Sequence, residues 1–342
     1  MLSDPVNDRG VHFSYSDTGP PTATSEPYST LVLIHGTSYH SAIFRPLIPH
    51  APANNLRLVL LNRRDYPGTT PTSPAEVARI RSDDTHVQAE ALKDLGVELA
   101  QFLVWYVRRA RVSDVQSGGG IAVLGWSSGN ACGCAMLAHL NALGDQEQNV
   151  IKKYLKTYII YDAPCYVFGL PPPPEVYDAW QDPALPTLQA KTQAFNAWVT
   201  AYFHHPDASS GDFAGLAKGP VVNPAPEKTP TIQRLNLAEV TAPDARTRGE
   251  GWVQYIDGGV YRENVRKIFR DEKYVGMFPG LRVRLVYCDQ TIPEMVWAAH
   301  RLKKELDEGN SVRKLEIRVV EGNHFAHWDK PEETLRSWAS LL

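Results

Sequence analysis

Seven residues, Leu124-Gly125-Trp126-Ser127-Ser128-Gly129-Asn130, restrict this chain more than any other stretch. An apolar run, Ile121-Ala122-Val123-Leu124, leads in, and a run of small residues, Ala131-Cys132-Gly133-Cys134-Ala135, leads out. The pattern reads as a strand, a sharp turn and a helix, with a serine at the tip. A turn that tight needs glycine on both flanks, because side chains there would collide. It lifts the serine hydroxyl above the sheet edge and puts the N–H of the next residue at a helix start, where negative charge is stabilised. The five-residue G-x-S-x-G pattern recurs by chance in many chains, so the strand–turn–helix context carries the reading.

The rest of the chain supplies a frame for that turn. Residues 11–19 alternate and then turn, as an edge strand and hairpin would, and 20–27 read as a loop. The continuous apolar runs Leu31-Val32-Leu33-Ile34 and 56–61 read as strands buried on both faces. Ser82 or Asp83 can cap a long helix in which Val87, Ala91, Leu95, Leu99, Phe102 and Tyr106 recur at helical spacing. Gly118-Gly119-Gly120 then breaks the chain; no lysine follows to make it a phosphate loop. Tyr158-Ile159-Ile160-Tyr161-Asp162 is the strand after the serine turn. This alternation implies a parallel sheet covered by helices. It stops over 165–278, a proline-punctuated stretch with one helix near 188–204 and a second near 260–269. A structureless loop that long is improbable, so an inserted helical cap is expected. Alternation resumes with strands at 283–287 and 314–320, and Pro331 opens a terminal helix. The expected organisation is core at 1–164, cap at 165–278 and core again at 279–342.

Composition narrows the function classes. The chain has 342 residues, 43% apolar and 21% charged, with a net charge of −3, so no basic excess points to nucleic acid. No apolar run is long enough to span a bilayer. Met1 to Pro5 lacks the apolar stretch of a signal peptide, and the chain holds no Asn-x-Ser/Thr sequon, so a cytoplasmic location is expected. Cys132 and Cys134 lie on different faces of one helix and cannot chelate an ion together. Cys165 and Cys288 could pair, but free buried thiols are the expectation. Adjacent His204 and His205 point apart and read as a satisfied surface pair, so no metal is expected.

Ser127, Asp289 and His324 each stand just after a strand, in that chain order, where open α/β sheets place their ligands. With these residues in view the chain resembles the α/β-hydrolases, and the resemblance covers the core, about two-thirds of the chain. His35-Gly36 is similar to that family's oxyanion loop. The segment Arg64-Asp65-Tyr66-Pro67-Gly68-Thr69 is similar to a family turn with one glycine replaced, and Gly322-Asn323-His324-Phe325 to its histidine loop. The resemblance implies a mostly parallel eight-stranded sheet with helices on both faces and an inserted cap. It implies Ser127 as nucleophile, His324 as base, Asp289 as orienting acid, and the N–H groups of Thr37 and Ser128 as oxyanion donors. Asp162 also ends a strand, a position some members use, and remains the alternative acid. His327 is the weaker rival to His324 and is expected to pack or cap near the last helix. His35 is expected to hold the oxyanion loop, and Arg63, Arg64 and Asp65 to form a local ion pair and turn.

A serine attacks only when a base takes its proton, histidine suits that task, and an aspartate on the far ring nitrogen sets the tautomer. The expected activity is hydrolysis of a small-molecule carboxylic ester or lactone, without cofactor. Trp126, Ser38, Trp198 and Tyr202 are the candidate pocket residues, with Trp126 expected at the pocket base or packed under the serine turn. The cap's aromatics suggest an apolar or aromatic substrate part. Carbon–carbon bond hydrolysis, amide hydrolysis, acyl transfer and a non-catalytic small-molecule receptor are the alternatives on the same fold. Epoxide hydrolases and haloalkane dehalogenases of this fold carry aspartate at the elbow, which Ser127 argues against. The oligomeric state is left open.

Overall fold

The computed structural model describes residues 1–21, 27–173, 175–242, 245 and 248–342; residues 22–26 of the expected loop and Pro174 lie outside them. The strands are β1 (Tyr15–Asp17), β2 (Ser29–Ile34), β3 (Leu56–Leu61), β4 (Ile121–Trp126), β5 (Leu155–Tyr161), β6 (Arg282–Cys288) and β7 (Leu315–Val320). The helices are α1 (Pro74–Ile80), α2 (Thr85–Ala110), α3 (Gly129–Ala138), α4 (Asp145–Tyr154), α5 (Leu188–Val199), α6 (Leu237–Val240), α7 (Glu250–Val253), α8 (Gly258–Arg270), α9 (Glu272–Met277), α10 (Pro293–Glu308), α11 (Ala326–Asp329) and α12 (Pro331–Ala339).

The strands form one sheet in the order β1-β3-β2-β4-β5-β6-β7, parallel except for β1. Central β3 and β4 are buried at every residue, as strands covered on both faces must be. Seven strands stand among the described residues where eight were expected. At the N-terminal edge, Leu2 and Ser14 make only an isolated bridge. The N–H groups of His12 and Ser14 are taken by the hydroxyls of Thr70 and Thr69, which replaces ladder pairing there and shortens the expected edge strand to β1.

Two apolar clusters sandwich the sheet. One packs α2, α3, α8 and α10 on one face; the other packs the 41–50 segment and α12 on the opposite face. Asp84, rather than Ser82 or Asp83, caps α2 by accepting from His86 N–H. The small residues of α3 let it lie against α2. The 165–278 stretch is not uniform. Its later helix α8 packs on α3, where Asn264 Oδ1 lies 3.1 Å from His139 Nε2, so that part joins the core layer. The four cysteines are free and buried. Burial pushes Cys132 up to about 11 and Cys134 up to about 12, as for inert packing thiols. No helix among the described residues is long and apolar enough to cross a membrane.

Candidate active site

Register brings the chemistry together. Trp126 ends β4 beside Tyr161, the end of β5, so Ser127 and Asp162 emerge from neighbouring strands. Ser127 sits at φ +53°, the left-handed region that a non-glycine residue occupies at a cost of about 1–2 kcal/mol. The surroundings impose it. Ser127 N–H donates to Tyr161 O (2.9 Å), and Asn130 Nδ2 donates to Ser127 O (3.0 Å), while Asn130 Oδ1 accepts from Tyr158 O–H (3.0 Å). The flanking glycines are required by close approach: a Cβ on Gly125 would lie 2.4 Å from Tyr158 Oη, and one on Gly129 2.5 Å from His35 O.

His324 and Asp162 are paired. His324 Nδ1 lies 2.5 Å from Asp162 Oδ2, and both side chains are buried. Asp162 Oδ2 also accepts from Thr291 O–H (2.5 Å), and Oδ1 from Cys288 N–H (3.0 Å). A carboxylate only accepts, so His324 Nδ1 carries the proton and Nε2 is left with the lone pair that a general base needs.

This corrects the expected acid. Asp289 also ends a strand, β6, but its Oδ1 accepts from Gly322 N–H (2.9 Å) and from Gln290 Nε2 (3.2 Å). Its carboxylate therefore holds the backbone of the histidine loop and not the imidazole. Asp162, at φ +47°, turns its carboxylate under His324 instead.

The 35–38 loop lies against the serine turn: a Cβ placed on Gly36 would stand 2.9 Å from Ser127 Cβ. His35 organises it. Arg63 N–H donates to His35 Nε2 (3.1 Å), so Nδ1 is the protonated nitrogen and donates to Gly36 O (2.9 Å). Thr37 and Ser128 meet through their hydroxyls, 2.7 Å apart. Neither of their backbone N–H groups has a backbone acceptor among the described residues.

Other expected roles change. Arg63, Arg64 and Asp65 do not pair with one another. Arg63 pairs with Glu250 (2.8 Å) and Arg64 with Glu98 and Glu76 (both 2.9 Å), whereas Asp65 accepts from Thr72 and from Glu250 N–H. Of the two placements expected for Trp126, the buried one is found: its Nε1–H donates to His324 O (3.1 Å), and its ring lies 5.0 Å from the His324 ring. Ser38 is buried at φ +69°, its N–H bound to Tyr66 Oη (2.9 Å). Trp198 and Tyr202 line a cavity of about 370 Å³ with Tyr177, Pro220 and Pro230, whose lining does not include Ser127, Asp162 or His324, and Tyr202 O–H is committed to Asp329 Oδ2 (2.8 Å). His327 is fully buried among Phe44, Trp126 and Tyr161, and neither ring nitrogen has a hydrogen-bond partner among the described residues. Burial, then the nearby His324, pushes its pKa well down, so it is a neutral packing residue and no rival base. His205 is satisfied at both nitrogens, by Thr291 O and Ala217 N–H.

Sequence reasoning missed Asn130, Thr291, Arg63 as a partner of Glu250, and Glu250 itself. Asn130 alone had a local signal, standing directly after the motif.

Comparisons with solved structures find the same fold. A bromoperoxidase from Bacillus anthracis superposes with a TM-score of 0.57 at 11% identity, covering 99% of this chain and 97% of its own. A meta-cleavage product hydrolase from Pseudomonas fluorescens gives 0.54 at 11% identity (99% and 96% covered), and epoxide hydrolase A from Mycobacterium thermoresistibile gives 0.52 at 15% (100% and 97%). At such identities the likeness establishes the fold alone. No curated protein is a match to the chain. The model of the alpha/beta hydrolase family matches residues 31–337, nearly the whole chain, and the chain belongs to that family.

Proposed function

We propose that this chain is a serine hydrolase that cleaves a small-molecule carboxylic ester or lactone through an acyl-enzyme on Ser127. The observation that carries the reading is the Asp162–His324 hydrogen bond beside a strained serine turn. Ser127 Oγ attacks the carbonyl carbon while His324 Nε2 takes its proton, and Asp162 steadies the imidazolium. The carbonyl oxygen, now an anion, is held by the N–H groups of Thr37 and Ser128; removing one such donor typically costs about 3 kcal/mol. His324 returns the proton to the leaving alcohol. Water, deprotonated by the same imidazole, then attacks the acyl carbon and releases the acid and free Ser127.

Geometry supports the ester or lactone because the machinery comprises a nucleophile, one base and one oxyanion hole, which suffice for a good leaving group. We assign the segment between β5 and β6 as the cap, with its α8 end joined to the core. Ser127→Ala tests the reading with p-nitrophenyl acetate and a fluorophosphonate probe. The variant should fold and show neither turnover nor labelling; wild-type turnover by the variant would overturn the reading.

A further inference from the structure

We infer that Glu250, supplied by the inserted segment, is a positioning residue for the oxyanion hole; this rests on the reaction proposed above at Ser127. The Glu250 carboxylate reaches 213 residues back along the sequence to the Thr37 hydroxyl, with Oε1 2.8 Å from Thr37 Oγ1. That hydroxyl also lies 2.7 Å from Ser128 Oγ. Thr37 has one proton to give, and a carboxylate can only accept, so the direction is set. Thr37 O–H donates to Glu250, and Ser128 O–H donates to Thr37 Oγ1. The two residues whose backbone N–H groups face the nascent oxyanion are thus tied through their side chains, and the tie ends on a carboxylate from another part of the fold.

Arg63 closes the arrangement. Its Nη1 lies 2.8 Å from Glu250 Oε2, and its Nη2 donates to Gly36 O (2.9 Å), the carbonyl preceding Thr37. Burial disfavours its charge, but Glu250 beside it, with Tyr66 and Cys132 adding, favours it, and the net shift is upward. The backbone around Glu250 is pinned as well: Glu250 N–H donates to Asp65 Oδ2 (3.1 Å) and Gly249 N–H to Thr72 Oγ1 (3.1 Å). Each contact ties the 249–250 turn to the core loop that follows β3. The hole is therefore held in shape when this turn is seated, and Thr37 gains rotational freedom when it is not.

Glu250→Gln strips a buried guanidinium of its counter-charge and invites misfolding, so Thr37→Val, which leaves the Arg63–Glu250 pair intact, is the decisive variant. It deletes both hydroxyl bonds but keeps the backbone N–H. With p-nitrophenyl acetate, kcat should fall about 10- to 100-fold with KM changed less than about twofold, since a slightly displaced donor loses that much. The rate of fluorophosphonate labelling should fall in parallel, and Thr37→Ser should restore both. Thr37→Val with wild-type kcat, whether or not its unfolding midpoint drops, overturns the inference while Ser127→Ala remains inactive. Activity in Ser127→Ala would instead overturn the reaction on which it rests.

Discussion

Replacing Asp162 by asparagine separates the two strand-end aspartates. In the folded protein three donors converge on this carboxylate: His324 Nδ1–H and Thr291 O–H on Oδ2, and Cys288 N–H on Oδ1. An amide offers one accepting oxygen and one NH2. With its oxygen toward Cys288, the NH2 faces His324 Nδ1 and favours the tautomer protonated at Nε2, which cannot take a proton from serine. With its oxygen toward His324, the NH2 collides with Cys288 N–H, and the imidazolium still loses its counter-charge. A loss of about 10⁴ in kcat is expected, about 5.5 kcal/mol of transition-state stabilisation. Asp289→Asn keeps an oxygen for Gly322 N–H and should change kcat less than about tenfold, with stability altered by about 1 kcal/mol. Steady-state hydrolysis of p-nitrophenyl acetate, with circular dichroism to confirm folding, measures both. Near-normal turnover in Asp162→Asn beside a four-order loss in Asp289→Asn would refute the reasoning.

Two further outcomes concern stability. His35 and His327 are both buried and held neutral, their pKa values pushed well below the usual histidine range, chiefly by desolvation. The unfolded chain protonates them below pH ~6.5, so the stability they contribute is intact above that pH and is lost as pH falls, by about 1.4 kcal/mol per unit for each group. The carboxyls of Glu98 and Glu294, raised by burial, act in the opposite sense, so the informative quantity is a difference. Urea unfolding of His327→Phe between pH 7 and 5 (a range set by the histidine titration) should show a slope shallower than wild type by one proton; parallel slopes would contradict it. Arg63→Met leaves the Glu250 carboxylate buried without its guanidinium and should lower unfolding free energy by about 3–5 kcal/mol; a loss under about 1 kcal/mol would show that the pair is better solvated than its burial indicates.

The parts of this fold that a reader of the sequence can recover are those set by local sterics and burial. The continuous apolar runs at 31–34 and 56–61 could hardly be anything but covered strands, and the glycines of the serine turn answer to a backbone that only one geometry permits. The acid was ambiguous for a physical reason. Asp162 and Asp289 end adjacent parallel strands in equivalent positions, and composition cannot tell them apart. The choice is made by the left-handed backbone at Asp162 and by Gly322, whose N–H engages Asp289. Trp126 adjoins the nucleophile, so its sequence position leaves pocket base and buried packing both open; it ends a strand buried at every residue, and its ring packs on His324. Glu250 left no trace in the sequence at all. Its partners, Thr37, Arg63 and Asp65, lie about two hundred residues away, in loops whose approach depends on the whole chain folding. The proline-rich insertion is legible as an interruption, though its aromatic residues cannot be sorted by contact from the sequence; Trp198 and Tyr202 share a cavity whose lining does not include Ser127, Asp162 or His324.

The central claim is that an acyl group passes through Ser127. Its most direct test is rapid acid quenching of the wild-type protein during turnover of p-nitrophenyl acetate, followed by mass spectrometry of the intact chain and its peptides. One added acetyl group is expected, carried by the peptide containing Ser127 and absent from Ser127→Ala. An acetyl group found on another residue of a kinetically competent species, with Ser127 unmodified, would contradict it.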